Sequence, residues 1–102
     1  MAYAYIISQV SARDLDAFQA YRAKAPDTIS LYGGEYLVRG GEFAVIEGEA
    51  NPNQLVVIRF PSMEQARRWY NSQEYSSIRP MRFASADTIM WLVEGIAEHA
   101  TV

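Results

Sequence analysis

Segments of β-branched and aromatic residues alternate along this chain with segments whose apolar residues recur every three or four positions. The first segment, residues 3–10, contains no helix-breaking residue and predicts a strand. The apolar positions that follow recur at steps of three and four, and they are Leu15, Phe18, Tyr21, Ala25 and Ile29. This recurrence predicts a helix that buries one face.

Polar and helix-breaking residues indicate where this first helix begins and ends. Ser11 supplies a hydroxyl that can cap the helix N-terminus. Pro26 removes one backbone hydrogen bond and crowds the preceding turn, so we expect a kink or a restart near Ala25. Gly33 and Gly34 then end the helix, because the left-handed conformation common at this position favours glycine.

Three further strand regions follow the helix. Residues 35–38 predict a short strand, and residues 43–47 are interpreted as a second limb of it, beyond a turn or bulge at residues 39–41. The continuous apolar run within residues 54–60 is typical of a buried strand. Residues 89–93 predict the last strand.

The segments between the later strands have helical character. Ser62, with Gln65 three residues further on, forms a capping box that opens a second helix. Residues 74–83 predict a further helical segment, which Pro80 weakens. The resulting order β-α-β-β-α-β is that of an α+β, ferredoxin-like fold.

The length of 102 residues fits a single domain, with a core over about residues 3–95 and a frayed tail over residues 96–102. Both faces of the predicted strands are apolar, whereas one layer of helices covers one face. A second copy of the same sheet would cover the other face, and we therefore expect a homodimer. The alternative is that the chain's own loops cover it.

Composition narrows the range of partners. The formal net charge is −3, so we expect no nucleic-acid partner, because phosphate binding requires clustered basic charge. The chain contains no cysteine, which excludes disulfides and thiolate chemistry. No apolar run approaches the length that spans a bilayer. We therefore expect a cytoplasmic protein without a membrane partner.

Four segments together carry a family resemblance, and they are Tyr21-Arg22-Ala23, Gly33-Gly34-Glu35-Tyr36, Leu55-Val56-Val57-Ile58-Arg59-Phe60-Pro61-Ser62 and Trp69-Tyr70-Asn71-Ser72-Gln73-Glu74-Tyr75. Their combination resembles the bacterial family known as domain of unknown function 1330, over about residues 3–95. The resemblance implies a dimeric α/β barrel, in which two ferredoxin-like sheets pack face to face. Gln73 departs from the family pattern, which often has proline there, and this leaves the start of the third helical segment open.

The resemblance implies a fold rather than a reaction, because the family has no settled activity. Its superfamily includes cofactor-free monooxygenases of antibiotic biosynthesis, muconolactone isomerases and haem-binding chlorite dismutase-like enzymes. The haem-binding members use a histidine on a helix, and this sequence offers none there. The resemblance therefore favours chemistry without haem.

Arg39 is the strongest single candidate for chemistry. It follows a strand and precedes two glycines, which allow the backbone to turn sharply. Its guanidinium could hold a ligand carboxylate through two parallel hydrogen bonds. The alternative is an ion pair with Glu35 or Glu47 that fixes the turn.

A group of tyrosines and arginines follows the second helix. Tyr75, Arg79 and Arg82 are spaced by four and three residues, so they can share one helical face near Tyr70. Such a face could line a pocket, with tyrosine as a weak acid and arginine as an anion clamp; the alternative is a solvated surface. Our predicted site residues are two catalytic candidates, Arg39 and Tyr75, and three substrate-binding candidates, Arg22, Tyr70 and Arg79.

His99 is the only histidine, and its place in the polar tail predicts a solvated side chain. We expect neither a metal nor a tightly bound cofactor. The sequence favours a small homodimer that binds or transforms a small anionic or aromatic metabolite, in the manner of a monooxygenase or an isomerase. The alternative is a non-catalytic homodimeric interaction or regulatory module.

Overall fold

A computed structural model describes residues 2–49 and 54–97 of the chain. Its elements in chain order are β1 (Ala4–Ala12), α1 (Leu15–Leu31), β2 (Glu35–Arg39), β3 (Gln54–Phe60), α2 (Met63–Asn71), α3 (Gln73–Ser76), α4 (Arg79–Ser85) and β4 (Ala86–Glu94). The strands pair antiparallel in one sheet of order β2-β3-β1-β4. This confirms the predicted α+β, ferredoxin-like fold.

The core lies between the sheet and the helices. Alternate residues of β1 point toward the helices and are buried, from Ala4 to Val10. Trp69 of α2 is 1% exposed, and its ring centroid lies 4.1 Å from that of Tyr75 and 5.4 Å from that of Phe60. Aromatic packing therefore joins α2 and α3 to the sheet.

The N-terminal cap of helix α1 lies three residues later than predicted, at Asp14 instead of Ser11. β1 continues to Ala12, so Ser11 is a strand residue, and the prediction that it caps the helix is wrong. Asp14 is the cap instead, and its carboxylate accepts a hydrogen bond from the backbone N–H of Ala17 at 3.1 Å. An acidic cap also interacts favourably with the positive end of the helix dipole.

Pro26 lies inside α1 without interrupting it. The helix is one element across this position, so the predicted restart near Ala25 is wrong. Proline leaves the carbonyl of Arg22, four residues earlier, without its helical donor. The guanidinium of Arg39 supplies a donor to that carbonyl from β2, at 2.7 Å.

The two glycines predicted to end α1 do so. The backbone N–H of Gly34 donates to the carbonyl of Ile29, and that of Gly33 donates to the carbonyl of Ser30, which is a Schellman arrangement. Gly33 has φ +79°, and a Cβ at Gly34 would lie 2.6 Å from the ring of Phe60. Glycine is therefore required at this corner by both conformation and packing.

The helical segment predicted over residues 74–83 is divided into α3 and α4. Ser72 caps α3 by accepting from the backbone N–H of Tyr75 at 3.1 Å, which fixes its start at Gln73. Pro80 lies in the first turn of α4, where its missing N–H costs no helical hydrogen bond. The proline therefore starts a helix rather than weakening one.

The second strand limb predicted over residues 43–47 is wrong. Residues 41–45 have no regular structure. β2 lies at the edge of the described sheet, and its neighbour β3 is paired with β1 on the other side. The outer edge of β2 is thus open to a partner, but residues 41–45 do not pair with it, and Phe43, Val45 and Ile46 are exposed.

The sheet face that points away from the helices is uncovered in the single chain. Its apolar residues come from all four strands and are Tyr5, Ile7, Val38, Leu55, Val57, Ile89, Trp91 and Val93. Ile89 is 55% exposed and Trp91 is 48% exposed. No loop among the described residues covers these two side chains.

Candidate functional site

A cleft opens between the helix-facing side of the sheet and α1. All four strands contribute to its walls, through residues such as Val10, Tyr36, Val56 and Thr88, and α1 contributes Phe18. The cleft and its open mouth enclose about 450 Å³, and the centre of a water-sized sphere reaches about 40 Å³ of this. The space that such a sphere reaches therefore has room for about three water molecules, or for a small polar group.

The charged residues that line the cleft are all arginines, namely Arg22, Arg39 and Arg82. Arg82 is 5% exposed, and among residues 2–49 and 54–97 no carboxylate forms an ion pair with it. A buried charge without a counter-ion is costly, because the protein does not replace the water that it loses. The cleft therefore favours an anionic occupant.

Three helices bring two tyrosines to Arg82. α1 supplies Tyr21, α3 supplies Tyr75 and α4 supplies Arg82. The two tyrosine hydroxyl oxygens lie 2.7 Å apart, and Arg82 Nε donates to the Tyr75 hydroxyl at 3.2 Å. Tyr75 is fully buried, whereas Tyr21 lines the cleft. Tyr75 therefore reaches the cleft through Tyr21.

Tyr21, Tyr36 and Arg82 keep their protons at neutral pH. Burial raises the pKa of Tyr21, and Tyr75 raises it further, while Arg82 acts in the opposite direction. Burial also raises the pKa of Tyr36, against the influence of Arg39. For Arg82, burial lowers the pKa, but Tyr75 and Tyr21 raise it by more. The cleft thus presents neutral hydroxyls and a positive charge.

Two buried oxygen atoms face the cleft without a hydrogen-bond partner among the described residues. They are Oε1 of Gln54, at the start of β3, and Oγ1 of Thr88 in β4. An unpaired buried polar atom costs about 1–3 kcal/mol. A ligand or a water molecule that donates a hydrogen bond in the cleft would recover part of this cost.

Arg39 and Arg22 lie where the cleft meets the surface. They also line a shallow groove over α1 that includes Gln19 and Pro26. The Arg39 guanidinium lies 4.7 Å from the ring centroid of Tyr36, in addition to its hydrogen bond to the Arg22 carbonyl. Arg39 is therefore fixed at the mouth by a backbone carbonyl and an aromatic face.

Glu35, one of the two carboxylates considered as a partner for Arg39, is paired with Arg59 instead. The Arg59 guanidinium also lies 4.3 Å from the ring centroid of Tyr3. This pair is on the open face of the sheet, at the strand position opposite Glu35. It leaves the positive charge of Arg39 at the cleft mouth.

Tyr70 and Arg79 lie apart from this cleft. Arg79 Nη1 donates to the backbone carbonyl of Tyr70 at 2.9 Å, and its guanidinium lies 4.5 Å from the Tyr70 ring centroid. Tyr70 lines a second groove, which runs between α2 and β4 and includes Arg67 and Trp91; it encloses about 550 Å³, in the measure that gives about 450 Å³ for the cleft and its mouth. Neither residue therefore lines the cleft with Arg22 and Arg39, although the Tyr70 ring centroid lies 5.7 Å from that of Tyr75.

The sequence matches one family model, over residues 3–96, which is described as domain of unknown function (DUF1330). The chain belongs to this family. The match confirms the resemblance that the sequence segments indicated. A search of curated proteins finds no match to the chain.

Several solved structures resemble the structure of this DUF1330 member. RPA0582, a protein of unknown function from Rhodopseudomonas palustris, has TM-score 0.79 and 14% identity, covering 94% of this chain and 84% of that one. SnoaB, a cofactor-independent oxygenase from Streptomyces nogalater, has TM-score 0.62 and 9% identity, covering 98% and 99%. Rv0793 from Mycobacterium tuberculosis has TM-score 0.61 and 18% identity, covering 98% and 100%. These TM-scores establish a shared fold. At such low identities the likeness extends to the fold alone.

Several residues that line the cleft were not among the site residues predicted from the sequence. Arg82 was placed with Tyr75 on a helical face that could line a pocket, but it was not among the five predicted site residues, and Tyr21 was interpreted as part of an apolar helix face. Gln54 and Thr88 occupy inward positions of strands that otherwise present apolar residues. A polar residue at such a position is the one signal in the sequence that could have indicated them.

The described part of this DUF1330 chain offers little to a metal ion. Within it, no three His, Cys, Asp or Glu side chains come together in a group that could hold one. His99, predicted to be solvated, lies outside the described residues. No helix in the described part is long and apolar enough to cross a bilayer.

Proposed function

We propose that the chain binds a small anionic metabolite in the cleft and transforms it without a tightly held cofactor. The observation that carries this proposal is Arg82, a buried guanidinium that lines the cleft and has no described carboxylate partner. The other charged lining residues, Arg22 and Arg39, add positive charge at the mouth. An anion in the cleft supplies a counter-charge that no described carboxylate provides to these three residues.

The shape of the cleft divides the ligand into a headgroup and a body. The part of the cleft that a water-sized sphere reaches accepts the anionic headgroup. The body, which includes any aromatic ring, lies in the wider mouth between Tyr36 and the arginines Arg22 and Arg39. In this arrangement Arg39 and Arg22 bind the ligand, and Tyr75 acts on it through Tyr21.

The reaction that fits these groups is the oxidation of the ligand by O₂, or a proton transfer in the ligand in which solvent water is the base. The cleft offers hydroxyl donors and guanidinium groups, which stabilise negative charge on a reacting oxygen. Support comes from SnoaB, whose description as a cofactor-independent oxygenase shows that a protein of this fold oxidises a substrate without a cofactor. The family's own activity is left open by its description.

We also propose that two copies of the chain pair through the open sheet face. Ile89, Trp91 and Val93 are all about half exposed on β4, and Ile7 and Val57 continue the same apolar surface on the neighbouring strands. A soluble monomer rarely leaves such a surface in contact with water. A two-fold axis brings each sheet onto the other, so that the same residues meet across the interface.

Thermal unfolding against a panel of small carboxylates, phenols and quinones tests the proposed binding. A ligand present at 100 times its dissociation constant stabilises the folded state by about 2.7 kcal/mol, which raises the melting temperature measurably. A rise with members of one anionic class supports the proposal and identifies that class. No rise with any panel member contradicts it.

If no panel member raises the melting temperature, the result favours the second candidate function, a non-catalytic homodimeric interaction or regulatory module. The specific observation in its favour is the exposed apolar sheet face around Trp91, which requires a partner whether or not the cleft binds a ligand. In that case the chain still dimerises through this face. Measuring assembly and ligand binding on the same preparation therefore distinguishes the two functions.

A further inference from the structure

The hydrogen bonds of Tyr75 have only one consistent direction. A tyrosine hydroxyl has one proton and two lone pairs, and Arg82 Nε, which can only donate, occupies one lone pair. The remaining described partner of Tyr75 is the Tyr21 hydroxyl oxygen, 2.7 Å away. Because Tyr75 is fully buried, its own proton needs an acceptor, and Tyr21 supplies it.

Because Tyr75 donates to Tyr21, the Tyr21 hydroxyl can donate its own proton to a ligand in the cleft. Since Tyr21 accepts from Tyr75, its own O–H points to another acceptor, and Tyr21 lines the cleft. The chain of donors therefore runs from Arg82 through Tyr75 to Tyr21 and ends at the ligand. Donors in such a chain polarise one another, so the last one is stronger than an isolated hydroxyl.

We propose, on the basis of the proposed function, that the ligand is an enol or a phenol, and that it binds as its anion with its oxygen accepting a hydrogen bond from Tyr21. Tyr21 touches the ligand in this arrangement. Tyr75 and Arg82 are positioning residues that orient the Tyr21 proton and strengthen it. The site is thus built for an oxyanion with one acidic oxygen.

The rest of the cleft lining favours a ligand that is already acidic. Among residues 2–49 and 54–97, its charged groups are Arg22, Arg39 and Arg82 and its tyrosines are Tyr21 and Tyr36, so no described carboxylate or imidazole lines the cleft to remove a proton. The enol or phenol O–H therefore releases its proton to solvent water, and no bond to the protein forms. The positive charge of the arginines makes this release more favourable inside the cleft than in water.

The experiment measures the ionisation of 4-nitrophenol bound to the protein, because its phenol and phenolate forms absorb at different wavelengths. We expect binding to lower the pKa of the nitrophenol by at least about one unit, a tenfold change in its ionisation constant. Tyr21→Phe keeps the ring and removes the donor, so most of this lowering is lost. Tyr75→Phe keeps the Tyr21 contact and removes its polarisation, so the lowering becomes intermediate.

Tyr32→Phe is the matched control, because Tyr32 is a tyrosine on the protein surface whose hydroxyl donates to Glu74 at 2.9 Å. This variant should lower the pKa of bound nitrophenol by as much as the unmodified protein does. A nitrophenol that binds the unmodified protein without a change in pKa overturns the inference, even where a variant does not fold. The inference is also overturned if Tyr21→Phe keeps the full lowering.

The same titration separates this inference from the function on which it rests. If small carboxylates bind in the cleft and nitrophenol does not, the enol or phenol assignment is wrong and anion binding stands. If neither carboxylates nor phenols bind, the proposed function fails and the assignment fails with it. If nitrophenol binds with a lowered pKa that depends on Tyr21, both are supported.

Discussion

Arg39 donates a hydrogen bond, 2.7 Å long, to the backbone carbonyl of Arg22 across the gap between β2 and α1. This carbonyl is available because Pro26, four residues later in the helix, has no N–H to offer it. The same two arginines form the mouth of the cleft. A proline in the helix is thereby connected to the position of a proposed ligand-binding residue.

This connection predicts that Arg39 and Pro26 are coupled in stability. Arg39→Ala removes the donor to the Arg22 carbonyl and should lower the free energy of unfolding by about 1 kcal/mol. In a Pro26→Ala background the helix supplies its own N–H at position 26, so the same substitution should cost less. A double-mutant cycle in urea measures the difference. Equal costs of Arg39→Ala in the two backgrounds would contradict the coupling.

Arg39 also carries a binding prediction. Arg39→Ala should abolish ligand binding, because it removes a charge from the cleft mouth, while the dimer stays intact. Arg68→Ala is the matched control, since Arg68 is an exposed arginine of α2 that pairs with Glu64 outside the cleft. Calorimetric titration with the best ligand of the panel checks both variants. Unchanged affinity in Arg39→Ala would remove Arg39 from the site.

Tyr21 predicts how stability depends on alkaline pH. Its pKa is raised in the folded state above the ordinary value of 10.0, chiefly by burial. A raised pKa contributes stability that is fully present below pH 10 and is lost as the pH rises further, because only the unfolded chain then releases the proton. Up to about 1.4 kcal/mol per pH unit is lost through this residue.

Denaturant unfolding of the unmodified protein and of Tyr21→Phe, from pH 8 to pH 11, checks this dependence. At pH 8 the variant should be less stable by about 1 kcal/mol, because the hydrogen bond to Tyr75 is gone. Above pH 10 the two stability curves should converge. Parallel curves would show that Tyr21 does not hold its proton more tightly in the folded state.

The open sheet face predicts a dimer that a single charged substitution in the interface should dissociate. Trp91→Glu places a carboxylate within the apolar surface, on the edge strand β4, where pairing of two sheets would bury it without a counter-charge. We expect the unmodified protein to have twice the monomer mass by light scattering, and the variant to have the monomer mass. Leu31→Glu, at an exposed position at the end of α1, should remain dimeric. A dimeric Trp91→Glu protein would place the interface elsewhere.

Local residue patterns were sufficient to predict most of the fold. The spacing of apolar residues predicted α1, and Gly33 with Gly34 predicted its end, because helix periodicity and left-handed caps depend on neighbouring residues. The errors arose where distant contacts decide the structure. Residues 43–47 have β propensity but do not pair with the open edge of β2, and Pro26 is tolerated because Arg39 supplies a donor from another element.

The candidate site was less predictable than the fold for the same reason. Tyr21 and Tyr75 are 54 residues apart in the chain, and no local pattern shows that their hydroxyls meet. The spacing of Tyr75, Arg79 and Arg82 suggested one helical face. The break between α3 and α4 instead turns Arg82 toward Tyr75 and Arg79 toward Tyr70. Only the packing of three helices determines which arginine faces the cleft.

The most direct test of the central proposal is a two-dimensional NMR titration of ¹⁵N-labelled protein with the best anionic ligand of the panel. If the ligand binds in the cleft, the largest chemical-shift changes should fall on Val10, Gln54 and Thr88, which line it. Changes confined to Ala66 and Trp91, in the groove between α2 and β4, would contradict the proposal. They would show that the anion binds away from Arg82.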